Sequence, residues 1–314
     1  RERHSDIIVY VDAALLVLGL AGLWLSARKT VDNAEQLIKA LGIPSFLFGA
    51  VFISVSTGLP EIATAVISTL EGVPELSAGD VIGSSLVNLT FVLGTTTLAA
   101  KGLELHGEDL DLIRDAGIGT MLAASALLIV GELSFVAVGA LFAIYGGFLY
   151  KAEHSSFEMG EDGEASAKTV ALTLAGVAGL LVSARLMVGG AKGIGESLGI
   201  PLDILGATVV AVGTGLPELA FEIAAVREGD TSLALGDIFG STLVNITLTL
   251  GILGAIATPS IASLVPVVVG VILVGALALG FSYRGDFSIV EASILMVVFL
   301  FYLVWQSEIL PLPF

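Results

Sequence analysis

The chain has 314 residues, of which 55% are hydrophobic and only 14% are charged, and its mean hydropathy is +0.98. Soluble domains carry about 25% charged residues, so the composition excludes a soluble protein and indicates a polytopic membrane protein. The absence of cysteine excludes disulfides and thiolate metal sites, and the three histidines all lie in polar segments. A net charge of −17 with few basic patches makes nucleic acid a poor partner.

Apolar stretches in chain order predict ten membrane-spanning helices, because each is long enough to cross a bilayer core of about 30 Å. They lie near residues 8–26, 46–70, 79–99, 114–131, 133–150, 169–190, 203–226, 235–256, 261–281 and 287–306. The acidic segment 151–168 contains Gly and Ser and predicts a flexible linker between two five-helix halves, 1–150 and 169–314. The fold class expected from the sequence is therefore an all-α polytopic membrane protein.

Basic residues are divided unevenly between the predicted loops. If the N-terminus is outside, nine of the 13 Lys and Arg residues lie in inside loops and four lie outside. Cytoplasmic loops are enriched in Lys and Arg. We therefore expect a multi-pass protein of the cell membrane with both termini outside and a cytoplasmic linker.

Two parts of the first half recur in the second half with a constant offset. Residues 42–66 match residues 199–223, and residues 79–94 match residues 236–251. Pro60 and Pro217 are 157 positions apart, as are Asn88 and Asn245. The chain is a duplication, and five helices in each half bring the second half into the membrane from the opposite side. The sequence therefore predicts two inverted five-helix repeats, an arrangement that favours alternating access.

A Pro-Glu pair interrupts an apolar stretch in each half. Pro60 has no N–H and is expected to free carbonyls near Thr57, and Pro217 is expected to do the same near Thr214. Irregular backbone at membrane depth is tolerated where it lines a cavity. The two segments "STGLPE" and "GTGLPE" therefore predict broken helices around a central site.

Glu61 and Glu218 place carboxylates at membrane depth with no Lys or Arg near them in the motif helices. A charge at the bilayer centre costs at least several kcal/mol, so a metal cation or a proton must balance each one. The next helix of each half adds polar groups at i, i+4 and i+8, which share one face: Asp80, Ser84 and Asn88, and then Asp237, Ser241 and Asn245. Hard cations such as Na⁺ and Ca²⁺ prefer an all-oxygen set of this kind. Glu222, one turn beyond Glu218, is expected to be solvated at a helix end, and the alternatives are an asymmetric extra ligand or a proton site.

These motifs resemble the alpha-repeats of the cation/Ca²⁺ exchanger superfamily, in particular the prokaryotic type of its Na⁺/Ca²⁺ exchanger branch. "TGLPE" resembles the family's G-T-S-L-P-E element, and "GSSLVN" and "GSTLVN" resemble its G-S-N-x-x-N element. The resemblance implies ten helices in inverted five-helix repeats. It also implies a metal site with Glu61 and Glu218 as central ligands, flanked by Asn88, Asn245, Ser84, Ser241 and the carbonyls of Thr57 and Thr214.

Three departures from the family pattern occur in both halves. Gly58 and Gly215 replace a serine, and Asn88 and Asn245 stand where some relatives carry aspartate. Where the family commonly has Asn, this chain carries two further acidic candidates for the ligand set, Asp80 and Asp237.

The sequence predicts a secondary active antiporter that exchanges Ca²⁺ for Na⁺ by alternating access. One alternative is a Ca²⁺/H⁺ antiporter in which the two glutamates load protons, and another is a passive cation channel, which the inverted repeat disfavours. No Walker-type element occurs, so we expect no nucleotide, no enzyme activity and no cofactor. The expected partners are the lipid bilayer and the transported ions.

Overall fold

The computed structural model describes residues 2–40, 54–104, 107–152 and 167–309, and these are almost entirely helical. Helix α2 has two pieces, Ser54–Thr57 and Leu59–Leu70. The other helices are α1 Glu2–Ala40, α3 Pro74–Ala100, α4 Gly107–Val130, α5 Phe135–Ala152, α6 Ala167–Leu198, α7 Leu202–Glu228, α8 Thr231–Ile256, α9 Val265–Ser282 and α10 Ile289–Ile309. A short 3₁₀ turn, Ala262–Leu264, precedes α9.

Eight of these helices are long and apolar enough to cross a membrane, and two shorter apolar helices, Leu59–Leu70 and Phe135–Lys151, accompany them. The multi-pass, all-helical class is therefore confirmed. Each predicted span overlaps one helix, and the count of ten spans stays a prediction. The first residues of the second predicted span, 46–53, and most of the predicted linker, 153–166, lie outside the described residues.

Helices α1 and α6 pack against each other along most of their length. Thr30 lies against Gly176, and Met187 lies against Gly19, so the two helices are antiparallel. A Cβ added to Gly19 would approach the Met187 backbone nitrogen to 2.4 Å. Small residues at such points let the backbones come close, as is common between membrane helices.

The buried apolar side chains form two clusters. The larger cluster joins α3, α4, α5, α8, α9 and α10 and includes Phe239, Leu89 and Leu141. The smaller cluster joins α1 and α6 to the starts of α3 and α7 through residues such as Leu76 and Leu205. The site residues lie on α2, α3, α7 and α8, the helices through which the two clusters meet.

Helices α3 and α8 each contain one π-helical turn at matching positions. These turns are Asn88–Val92 and Asn245–Thr249, and the offset is again 157, since 88 + 157 = 245 and 92 + 157 = 249. Isolated π-turns within α-helices occur frequently at functional sites. Here each turn begins at one of the two asparagines that the sequence singles out.

The two Pro-Glu segments differ in backbone structure. Helix α2 is interrupted at Gly58, and Pro60 lies in the first turn of its second piece, as the sequence predicts. Helix α7 runs without interruption from Ala211 to Glu228 through Pro217. The prediction of a broken helix in the second half is therefore wrong, because a membrane helix can carry a proline when only one carbonyl loses its donor. In α7 that carbonyl belongs to Gly213, four residues before the proline.

Two short backbone pairings join loops at the ends of the helices. Leu103 pairs with Phe287 in a two-stranded antiparallel sheet, Leu103–Glu104 with Asp286–Phe287. Glu132 pairs with Ser260 as an isolated bridge. Ser260 is 157 residues after Leu103, and Phe287 lies within two residues of the position that matches Glu132. The segment after α3 thus contacts the α9–α10 loop, and the segment after α8 contacts the α4–α5 loop.

Candidate functional site

Glu61 on α2 and Glu218 on α7 lie in the interior, with exposed fractions of 0% and 4%. Their charges act on each other, and Asp80 on α3 acts on both, so the three carboxyl groups face one region. Among the described residues, no group forms a hydrogen bond of ordinary geometry with either glutamate. A buried carboxylate without donors is costly, so this region is built to receive positive charge.

Two hydrogen bonds connect the halves across the site. The Thr214 hydroxyl donates to Asp80 over 3.1 Å, and the Thr57 hydroxyl donates to Asp237 over 3.1 Å. The offset of 157 relates the two bonds, since it relates Thr57 to Thr214 and Asp80 to Asp237. The threonines therefore reach the site through their side chains, and the carbonyl-ligand role implied by the resemblance stays a prediction.

Serine and asparagine side chains join the same network. The Asn88 amide nitrogen donates to the Ser241 hydroxyl over 3.2 Å, which leaves the Asn88 carbonyl oxygen without a partner among the described residues. Glu218 faces both Asn88 and Ser241. The Ser84 hydroxyl lies 3.1 Å from that of Thr214 and 3.3 Å from an oxygen of Asp80.

Asn245 is the one predicted residue that this network does not include. Its side chain is fully buried, and in the described part of the chain neither its amide nitrogen nor its carbonyl oxygen has a hydrogen-bond partner. Hydrogen bonds or electrostatic interactions thus link nine of the ten predicted residues to at least one other member of the set. Asn245 lies at the start of the equivalent π-turn, and its role as a ligand stays a prediction.

Basic side chains do not balance these carboxylates. The ion pairs between described residues are Arg114–Asp111, Lys151–Asp115, Arg185–Glu71 and Arg284–Glu291, and none of them involves a site residue. Within the same part of the chain, no three or more His, Cys, Asp or Glu side chains are arranged to hold a metal ion.

Glu222 is a residue of this region that the sequence interpretation placed wrongly. It is not solvated, because only 1% of it is exposed, and it faces Asp237 on α8. The signal was present in the sequence: Glu222 follows Glu218 by four residues, and such residues share a helix face. What the sequence does not give is how far the bundle extends beyond Glu218.

The family model described as sodium/calcium exchanger protein matches residues 11–152 and 168–308. The chain belongs to the sodium/calcium exchanger family. The resemblance carried by the two pairs of motifs is therefore confirmed, and the exchanger is a multi-pass membrane protein of a transporter family.

Individual relatives agree with this assignment. The exchanger is 25% identical to the sodium/calcium exchanger MaX1 of Methanosarcina acetivorans, over 82% of its own length and 86% of that protein. Its fold is similar to that of the sodium-calcium exchanger NCX_Mj, with a TM-score of 0.67, 23% identity and coverage of 94% and 98% of the two chains. It is also similar to the H⁺/Ca²⁺ exchanger CAX, with a TM-score of 0.78, 18% identity and coverage of 93% and 82%.

Proposed function

We propose that this exchanger is a secondary active antiporter that moves Ca²⁺ across the cell membrane in exchange for Na⁺. The observation that carries the proposal is the pair Glu61 and Glu218, which are buried together and have neither a hydrogen bond of ordinary geometry nor a basic partner among the described residues. Two carboxylates carry a charge of −2, which one Ca²⁺ balances. The partnerless carbonyl oxygen of Asn88 and the two polar atoms of Asn245 lie on the adjoining helices. An all-oxygen set of this kind suits a hard cation.

The return step decides the driving ion. After Ca²⁺ leaves, two carboxylates without a counter-ion at the membrane centre would carry a high free-energy cost. Other cations must therefore replace Ca²⁺ before the site returns to the first side. Sodium ions need neutral oxygen ligands beside the carboxylates, and the two asparagines and two serines supply them. Protons need no such cage, so the retention of these residues in both halves favours sodium. The relative MaX1 is named as a sodium/calcium exchanger, which also supports this choice.

A Ca²⁺/H⁺ antiporter is the second candidate. The same burial of Glu61 and Glu218 that suits a divalent cation also suits their neutralisation by protons. In that case the two glutamates alone would carry the coupling ions, and Asn88 and Asn245 would serve Ca²⁺ only.

Alternating access by inverted repeats accounts for how one site serves both sides of the membrane. The matched π-turns and the matched Thr–Asp bonds support a two-fold relation between halves 1–150 and 169–314. We propose that both termini are outside and that the linker 151–168 is cytoplasmic, from the distribution of basic residues.

Reconstitution into proteoliposomes separates these possibilities. An outward Na⁺ gradient at equal pH should drive Ca²⁺ uptake, and Asn88→Ala and Ser241→Ala should shift the Na⁺ dependence of that flux. Glu196→Gln, an exposed position on α6, is the matched control and should leave the flux unchanged. Full-rate uptake driven by a pH gradient without sodium would establish the proton alternative instead. Uptake that requires no counter-ion would indicate a channel.

A further inference from the structure

Glu222 is a buried carboxyl group that the two-glutamate site does not use. Its equivalent in the first half is Ala65, since 65 + 157 = 222. Both of its carboxylate oxygens are buried, and neither has a hydrogen-bond partner within the described residues. Because no equivalent acid exists in the first half, its role belongs to one side of the molecule only.

The surroundings of the two aspartates explain why Glu222 matters. Asp80 accepts hydrogen bonds from the hydroxyls of both Thr214 and Ser84, over 3.1 Å and 3.3 Å. Both of these bonds end on one oxygen of Asp80, and its other oxygen has no partner among the described residues. Asp237 accepts one hydrogen bond from Thr57, and its other oxygen likewise has no partner among the described residues. The two aspartates therefore differ in the number of hydroxyl donors, which is two for Asp80 and one for Asp237.

The serine that matches Ser84 does not supply the missing hydrogen bond. Ser241 donates to the Ile238 carbonyl over 3.3 Å and accepts from Asn88. Where Asp80 has a second hydroxyl donor, Asp237 is therefore faced by the carboxyl group of Glu222.

Two ionised carboxylates that face each other offer only acceptor atoms, so either a proton shared between them or a metal cation must make the contact favourable. The charged groups that act on Glu222 are Asp237 from α8 and Glu218 one turn earlier on its own helix, and both are acidic. The other half acts as an internal control, because it keeps Asp80 buried with hydroxyl donors alone. The charge that needs balancing in the second half is thus the one that Glu222 adds, and a monovalent cation supplies it.

We propose that Glu222, Asp237 and Thr57 bind one monovalent metal cation, which is Na⁺ in this exchanger, at a subsite present in the second half only. The ligands are two carboxylates and a hydroxyl oxygen, which suit a hard cation. The choice of Na⁺ rests on the proposed function, in which Na⁺ is the driving ion. The subsite lies one turn beyond Glu218 and adds a ligand position to the central one.

Equilibrium binding of radioactive sodium to the purified exchanger, without Ca²⁺ and at fixed pH, tests the subsite directly. Glu222→Ala introduces the residue that the first half carries at this position, and it should lose one bound sodium ion per chain. Glu222→Gln keeps the shape without the charge, should show the same loss, and carries the test if the alanine variant does not fold. Glu196→Gln, on the exposed face of α6, should keep the full count.

An unchanged sodium count in both Glu222 variants overturns the subsite, whatever the transport assay shows. Ca²⁺ uptake that a pH gradient drives without sodium overturns the Na⁺ antiport, while a sodium count that still falls in Glu222→Ala upholds the subsite. If Na⁺ drives Ca²⁺ uptake but the number of bound sodium ions is unchanged in the Glu222 variants, the proposed subsite is wrong and the proposed Na⁺/Ca²⁺ antiport is supported. The two proposals therefore fail separately.

Discussion

The two halves of the site contain the same residue types at nearly every matched position, yet only part of their contacts match. The Thr57–Asp237 and Thr214–Asp80 bonds have equal lengths of 3.1 Å. Asn88 bonds to Ser241, whereas Asn245 has no partner among the described residues. Identical residues thus have unequal contacts in the two halves, as the proposed alternating access would require of each single state.

An ion pair near the end of α2 is also present in one half and, among the described residues, absent from the matched position of the other half. Arg185 on α6 lies 3.1 Å from Glu71 at the end of α2. The matched residues are Arg28 and Glu228, since 28 + 157 = 185 and 71 + 157 = 228. They form no ion pair in the part of the chain that the structure describes.

These differences are of two kinds. Where the residues are identical, as with Asn88 and Asn245, a conformational change can exchange the two arrangements between the halves. Where the residues differ, as with Glu222 and Ala65, the difference persists in every state. If the proposals above hold, the first kind of difference depends on which side of the membrane the site faces, and the second kind affects which ions the site binds.

Substitution of the central glutamates has the largest expected effect. It tests whether Glu61 and Glu218 contribute equally to binding of the transported ion. Glu61→Gln and Glu218→Gln should each reduce Ca²⁺ flux in proteoliposomes about 100-fold or more, because loss of one partner of a buried charge contact costs about 3–5 kcal/mol. The two losses should be similar in size. Near-normal flux in either variant, with the protein folded, would contradict a site shared by both halves.

The two threonine bonds give an intermediate effect. Thr57→Val and Thr214→Val each leave a buried aspartate without its threonine donor, and a hydrogen bond to a charged group is worth about 1.5–3 kcal/mol. Both variants should lower the midpoint of thermal unfolding in detergent, measured by intrinsic fluorescence. Thr57→Val should have the larger effect, because Asp80 keeps the Ser84 hydroxyl and Asp237 has no second hydroxyl donor among the described residues. The reverse order would contradict the contacts described for Asp237.

Substitution in the Arg185–Glu71 ion pair has the smallest expected effect on transport. This pair and the matched positions Arg28 and Glu228 give the most direct test of whether the two halves exchange their contacts. An exposed pair contributes about 0–1 kcal/mol, so Arg185→Gln should change the flux less than about fivefold. The chain has no cysteine, so paired cysteines can be introduced at positions 71 and 185, and separately at 28 and 228. With a short bifunctional thiol reagent, conditions that raise one cross-linking yield should lower the other. Yields that rise and fall together would show that the pairs do not alternate.

Much of this architecture is readable from the sequence, because long apolar runs and exact repeats are strong signals. The predicted span 79–99 lies within α3, and 235–256 lies within α8. The sequence also predicts that Ser84, Asn88 and Ser241 meet, since the constant offset places them on matched helices. Local composition and helical spacing are sufficient for such statements.

Other features depend on packing that no local pattern encodes. A proline breaks α2 at Gly58 but leaves α7 continuous at Pro217, because neighbouring contacts decide whether the chain leaves the helix. The π-turns at Asn88 and Asn245 have no compositional signature. The burial of Glu222 depends on the helices that cover it rather than on its distance from Glu218.

The two π-turns also show how closely the repeats correspond in backbone structure. A π-turn closes its hydrogen bonds over one residue more than an α-helical turn, so each can be regarded as a single-residue insertion in a regular helix. The offset of 157 holds at Pro60 and Pro217 before the turns and at Gly94 and Gly251 after them, so both copies carry the extra residue. The extra residue is therefore a feature that the two repeats share, and it places the same change of helical register beside the site in both halves.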